Sequence, residues 1–543
     1  VTLTASPANE WQVSGWFGTD SDGITDKSNT VTMPAQNHSA GVTYRETPPD
    51  EGVGDEFEAD NDCANYRDIP VTGALQFHSF HREADEDWVR FQARSGHTYL
   101  IQVDVPNTSP ADVALELYPR CGSLQEKNQD FTFSPGVRMS FEAVEDGPIY
   151  ARLLNHDAGV AGDHVQYTVS VRSLNDSVKP GALIVVAGAI RANDPVQDNI
   201  YHVTDAVYKL FINKGYTDEQ IYYLSPDIGR DHVDARADRA GLQTAITEWA
   251  KDNVGADRAL TIYMMDHGAR DRFYLDKQRN QSVSPADLDA WLTEIEEAHP
   301  GLRINVIIDA CYSGSFITGD KTLVGENRVI ITSTDADNLA WASRDGAIFS
   351  DHFLEALGRN ESLYNAYREA QVAAKIAHPH QKPFVNGDSN TRPGQADDGA
   401  QAATRGFSFA GTLDDFNWPP HIFSVTPPEI IDGRGVIRAD VRDDEQVNRV
   451  WAVIYPPDYV APIEGEALVQ DEDFSLISTI VLLDNGKNSF SATFRDFRQS
   501  GTYRVVVYAE DEFDVGARPV SFEVQVDVED EPSQTFYLPM MRR

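Results

Sequence analysis

Three things are scarce in this chain of 543 residues: cysteine, positive charge and long apolar runs. Cysteine occurs three times, as Cys63, Cys121 and Cys311. Cys63 and Cys121 share an early β-rich region, where a disulfide would staple a domain in an oxidising compartment and leave Cys311 unpaired. The alternative is three unrelated buried thiols. Lysine and arginine number 45 against 86 acidic residues, a formal charge of −41. That balance argues against electrostatic binding to nucleic acid or anionic membrane and fits a solvated, solubilising acidic surface. No apolar run approaches the roughly 20 residues that span a bilayer, so membrane insertion is not expected. The chain opens on Val1 without a signal-peptide core and reads as a mature or excised fragment. Phosphate-loop, zinc and EF-hand spacings are absent, so neither a cofactor nor a metal is expected. The acidic stretch Glu58-Ala59-Asp60-Asn61-Asp62 reads as a solvated loop, with calcium binding as the alternative.

The length implies three to five domains at roughly 100 to 200 residues each. Residues 1–46 read as a truncated small β module. Val1-Thr2-Leu3-Thr4, Gly15-Trp16 and Val31-Thr32-Met33 resemble internalin-type B repeats of bacterial surface proteins. Thr47-Pro48-Pro49-Asp50-Glu51-Gly52 is a linker by composition. Over 55–175, alternating segments such as Trp88-Val89-Arg90-Phe91 and Tyr167-Thr168-Val169-Ser170-Val171 predict an antiparallel sandwich. The run Ala84-Asp85-Glu86-Asp87-Trp88, followed by Ser95-Gly96-His97-Thr98-Tyr99, resembles the bacterial pre-peptidase C-terminal domain. From 180 to 412 the texture becomes βαβ: apolar runs of strand length alternate with helical periodicity at 201–211, 239–251, 285–298, 347–357 and 362–377. Its end, 389–406, reads as a loop or disordered connector. Over 413–528 strand alternation returns, as in Val450-Trp451-Ala452-Val453-Ile454-Tyr455, and resembles an immunoglobulin-like sandwich. The tail, 529–543, stays unassigned.

Two apolar runs stop at reactive side chains. Ile262-Tyr263-Met264-Met265 leads to Asp266-His267-Gly268, and Val306-Ile307-Ile308 leads to Asp309-Ala310-Cys311-Tyr312-Ser313-Gly314-Ser315. Buried parallel strands read as such runs, and chemistry in open α/β sheets gathers at strand carboxyl ends. A cysteine nucleophile needs a base, an orienting group for that base, and donors for the tetrahedral oxyanion. Cys311 and His267 supply nucleophile and base. The amides of Gly268 and Cys311 supply donors, since a glycine there allows close approach of a carbonyl.

Together these motifs resemble the legumain-like cysteine endopeptidases of the caspase-type fold (clan CD), over about 180–388. The resemblance implies a mainly parallel sheet flanked by helices, set among all-β sandwiches. It places Asn199 behind the catalytic histidine, where it could accept a hydrogen bond from the imidazole; the alternative is a helix N-cap. It also places Tyr201, Ser333 and Asp309 among the substrate-binding positions. Tyr201 stands where legumains carry the arginine that grips Asn or Asp. Asp309 lies two residues before Cys311, on the same side of its strand. An acidic pocket without its arginine favours Arg or Lys at P1, unless an internal partner such as Arg191 or Arg344 neutralises Asp309. The expectation is therefore a secreted or cell-surface cysteine endopeptidase acting on proteins or peptides through a Cys-His dyad. Legumain-like cleavage after Asn or Asp, and a non-catalytic adhesion protein with a vestigial peptidase domain, are the alternatives. The β domains leave room for cell-surface association.

Overall fold

The computed structural model describes residues 2–5, 11–21, 28–32, 40–46, 54–106, 109–123, 127–175, 179–388, 390–393, 398–407, 418–459 and 477–527. The linker expected at 47–52 and the tail at 529–543 lie outside them. The chain divides into two compact units: one runs from the N-terminus to Val171, with short interruptions, and the other is built mainly from Arg172 onward.

In the first unit, the N-terminal segment forms two antiparallel pairs, Thr2–Thr4 with Ser28–Thr30 and Trp11–Phe17 with Gly41–Glu46. After it come a five-stranded and a four-stranded sheet. Alternation explains them. Val113, Leu115 and Leu117 are buried on one strand, and Ile149, Ala151 and Leu153 on its neighbour, while the residues between face outward. Cys63 and Cys121 are joined by a disulfide across a sequence separation of 58. The acidic stretch 58–62 departs from the solvated loop expected of it, because Asp60 is completely buried among other carboxylates.

In the second unit a seven-stranded sheet runs in the order Ala235–Arg236, Ile221–Ser225, Ala182–Ala187, Leu260–Met265, Ile304–Asp309, Arg328–Thr332, Phe384–Asn386. All pairs are parallel except the last. Both faces are covered, which is why the central strands are continuous apolar runs. Ile184, Val186, Ile262, Met264, Val306 and Ile308 pack on one side against the helical segment 239–253 and helix Pro285–Ala298. Leu183, Val185, Tyr263 and Ile307 pack on the other against helices Gln197–Asn213, Ile348–Gly358 and Leu363–Ala377. The segment expected as a structureless connector contains a short helix, Ala400–Ala403, because Ala402 and Phe407 join this second core layer. Beyond it, seven antiparallel strands between His421 and Val526 enclose their own core, including Ile437, Val450, Ile454, Val505 and Val507. No helix of the described residues is long and apolar enough to cross a membrane.

Candidate active site

Parallel pairing in register, with Met265 opposite Asp309, brings the ends of two neighbouring central strands level. His267 and Cys311 follow those ends by two residues each, and both line one cavity of about 450 Å³. The two turns touch. A Cβ on Gly268 would lie 2.3 Å from the carbonyl oxygen of Cys311, so only glycine fits. On the cysteine side, Tyr312 takes a left-handed conformation with φ 60°. Gly314 lies so close to the Asp335 backbone that a Cβ would stand 2.6 Å from it. The chain then enters the short helix Ser315–Thr318.

At rest the Cys311 thiol donates to the carbonyl of Ala340, at 3.7 Å. Burial pushes this thiol up to about 11, with the nearby Asp309 carboxyl adding to the rise and the Ala340 contact opposing it. The His267 imidazole has a carboxylate partner: Nε2 lies 2.9 Å from Oδ2 of Asp194. Asp194 sits in the loop after the first central strand, its side chain fully buried. Burial alone would raise its carboxyl, but the hydrogen bond and charge of His267, with the Val196 amide donating to Oδ1, hold it below the ordinary value. An Nε2–H donated to Asp194 leaves Nδ1 as the basic nitrogen.

This corrects the role expected of Asn199. Its Nδ2 donates to the carbonyls of Ser343, at 3.1 Å, and Gly346, at 3.0 Å. It pins the 343–346 loop that forms one cavity wall and is not the partner of the imidazole. Asp194 escaped sequence reasoning because a loop carries no periodicity. The available signal was a carboxylate in Asn193-Asp194-Pro195, just past the carboxyl end of an apolar strand. Asp266, another cavity-lining residue, is buried, and burial raises its carboxyl well above the ordinary value.

Of the three expected substrate contacts, Asp309 alone lines the cavity. It is 2% exposed. Ser350 Oγ donates to its Oδ2 at 2.5 Å and itself accepts from the Tyr263 hydroxyl at 2.7 Å. Burial raises the Asp309 carboxyl, against the hydrogen bonds from Ser350 and Ser333. Ser333 stands behind Asp309 rather than in the cavity, its hydroxyl also accepting from the Ala310 amide. Tyr201 lies outside the cavity lining, under the Arg230 guanidinium, 3.9 Å from its ring centroid. Neither cation considered for Asp309 reaches it among the described residues, since Arg344 pairs with Asp345, Glu510 and Asp514 and no ion pair joins Arg191 to Asp309. The rest of the lining includes Leu339 and Trp341, the aromatic residues Trp451, Tyr455 and Tyr508 of the C-terminal strands, and the basic side chains Arg344, His378 and Arg449.

Among solved structures the chain is similar to drICE, with 13% identity over 40% of this chain and 91% of that one and a TM-score of 0.27. It is similar to the pre-peptidase C-terminal domain of collagenase from Bacillus anthracis, with 16% identity over 20% of this chain and 94% of that one, TM-score 0.17. Dimeric latent PorU from Porphyromonas gingivalis matches with 10% identity over 98% of this chain and 76% of that one, TM-score 0.20. No curated protein matches the chain. Residues 241–388, the segment that holds both His267 and Cys311, match the Peptidase C13 family, cysteine peptidases of the legumain type.

Proposed function

We propose that this protein is a secreted cysteine endopeptidase that cleaves after Arg or Lys. The observation that carries the P1 assignment is Asp309: a buried carboxyl in the cavity beside Cys311, met by hydroxyls and by no cation among the described residues. A desolvated carboxylate without a positive partner costs several kcal/mol, so a substrate that brings its own cation is favoured over a neutral one. The aromatic walls suit the methylene stem and the face of a guanidinium.

In this reading the Cys311 sulfur attacks the carbonyl carbon of the scissile bond while its proton passes to His267 Nδ1. The new C–S bond places negative charge on the carbonyl oxygen, held by the amides of Gly268 and Cys311. Collapse breaks the C–N bond, and the imidazolium returns its proton to the leaving amine. Water, deprotonated by the same nitrogen, then releases the acyl group and restores the thiol. Asp194 keeps the ring oriented and stabilises the imidazolium. The disulfide in the β-sheet unit supports an extracellular or cell-surface location.

The test is a P1-scanning fluorogenic peptide panel with wild type and Asp309→Asn. Arg and Lys substrates should be cleaved best by wild type. The isosteric amide should lower kcat/KM for them by about 10²-fold or more while leaving neutral P1 substrates within a fewfold. Best cleavage after Asn or Asp would overturn the basic P1 assignment. No cleavage of any peptide would overturn the enzyme.

A further inference from the structure

The C-terminal strands turn an apolar face toward the cavity beside Cys311. In the strand Val447–Tyr455, the side chains of Val450, Ala452 and Ile454 belong to the core that these strands enclose. Arg449, Trp451, Val453 and Tyr455 therefore share the opposite, outward face, and all four line the cavity. The outward side of an antiparallel sheet is commonly polar. Here it is largely aromatic, and the apolar row continues onto the neighbouring strand Ser478–Asp484, where Val481, directly opposite Trp451, is 47% exposed and Leu483 70%. Exposed apolar side chains that run together into a cavity mark an interaction site.

The make-up of that face determines what it can hold. Val453 lies opposite Thr479, so two small side chains form a floor within the cavity lining. Two residues away along the strand in either direction, at about 7 Å, stand the rings of Trp451 and Tyr455. Both rings are fixed by neighbours. Trp451 stacks on Tyr508, with centroids 5.3 Å and planes 11° apart. Tyr455 meets His378 edge-on at 6.3 Å, and His378 stacks on Trp341 at 4.3 Å. Arg504 lies over the Tyr455 ring at 5.2 Å and donates to the carbonyl of Ala377, at 2.8 Å, where the helix Leu363–Ala377 ends. A small floor between two fixed rings is room for one side chain. Charge decides its chemistry. Among the described residues the C-terminal strands bring no carboxylate into the cavity, and their one charged group there, Arg449, stands over the Trp451 ring at 5.3 Å. His378, pushed down to about 3 by burial and by Arg504, is a neutral ring. A basic side chain finds no partner on this side, whereas an apolar one finds aromatic rings at both ends of the floor.

We infer that the C-terminal strands form a substrate subsite that seats one apolar side chain, leucine to tryptophan in size, within three residues of P1. Continuity with the cavity of Cys311 makes the occupant a segment of the peptide under attack and not a separate partner. The subsite presupposes the cysteine-peptidase reading but not the identity of P1. Trp451 and Val453 are then specificity residues, supplied from outside the segment that carries His267 and Cys311.

The experiment uses the full chain and peptides of glycine and serine with Arg at P1, or Asn in a parallel set, in which a single Leu, Phe, Trp or Glu is moved through the three positions on either side of P1. At one position an apolar residue should raise the wild-type kcat/KM about tenfold or more over the Gly peptide, mainly through KM, since the contact is made equally in ground and transition states. Trp451→Ala removes a ring and Val453→Trp fills the floor, and each should bring that ratio within about threefold of unity. Every ratio is taken within one preparation, so it does not depend on how much of a variant folds. Calorimetric binding of the same peptides to Cys311→Ala reads the subsite without turnover: the preferred peptide should bind about tenfold tighter than its Gly counterpart, and that advantage should vanish when Trp451→Ala is added. Wild type that cleaves no peptide while this binding preference holds would remove the peptidase reading and keep the subsite; neither cleavage nor a binding preference would overturn both. Cleavage without apolar preference at any position, a preference for Glu in its place, or a preference that survives either substitution would overturn the subsite alone.

Discussion

In the proposed mechanism the resting Cys311 is a protonated thiol, raised by burial to about 11 and donating to Ala340 rather than standing as a thiolate beside a charged histidine. Its reactivity toward iodoacetamide in the free enzyme should therefore climb with pH, roughly tenfold per unit between pH 7 and pH 10, since the thiolate is the reacting form. Following alkylation rate against pH checks this, and a plateau from pH 6 upward would show a preformed ion pair instead. In the proposed mechanism the carboxylate of Asp194, 2.9 Å from His267 Nε2, orients the ring and stabilises the imidazolium formed during attack. Asp194→Asn keeps the shape and removes the charge, so kcat should fall by about 10² to 10⁴-fold with KM little changed. Asn199→Ala instead frees the 343–346 loop and should act mainly through KM. Steady-state kinetics on one Arg substrate separates the two. Cys311 and His267 stood out in the sequence as candidates because each follows an apolar run of strand length. Asp194 did not, because its role depends on how a loop folds back over a strand 70 residues later in the chain, a placement that no local pattern encodes.

Among elements, the decisive feature is parallel registry between Leu260–Met265 and Ile304–Asp309, which sets the turns of the two candidate catalytic residues side by side. Their contact is Gly268 against the Cys311 carbonyl, with no space for a methyl group. Gly268→Ala must push the two strand ends apart, and near-attack geometry is sensitive to shifts of about 1 Å, so kcat/KM should drop by about 10²-fold or more. Circular dichroism should remain that of wild type, because the clash lies beyond the strands and not within their core. The βαβ rhythm was legible for a simple reason: strands covered on both faces are uninterrupted apolar runs, and their helices keep a 3.6-residue period. Within 389–406, read as a loop or connector, the short helix Ala400–Ala403 went unread because it has too few residues to show a period, and its burial comes from tertiary packing.

For the molecule as a whole, the cavity beside Cys311 has a wall that the peptidase segment does not supply. Trp451, Tyr455 and Tyr508 belong to the C-terminal strands, and their part in the site could not be read from sequence because the contact is made across well over a hundred residues. In the other compact unit the Cys63–Cys121 disulfide spans 58 residues. Thiol counting on unfolded, unreduced protein should find one free cysteine, and reduction should destabilise that unit by about 2–4 kcal/mol. The central claim, a Cys311 nucleophile facing a pocket for a basic P1 side chain, is tested most directly by covalent trapping. A peptidyl-arginine acyloxymethyl ketone should label the protein to one equivalent, at Cys311 by peptide mass mapping. Cys311→Ala should take none, and the asparagine analogue should label wild type far more slowly. Labelling elsewhere, or faster labelling by the asparagine analogue, would contradict the account.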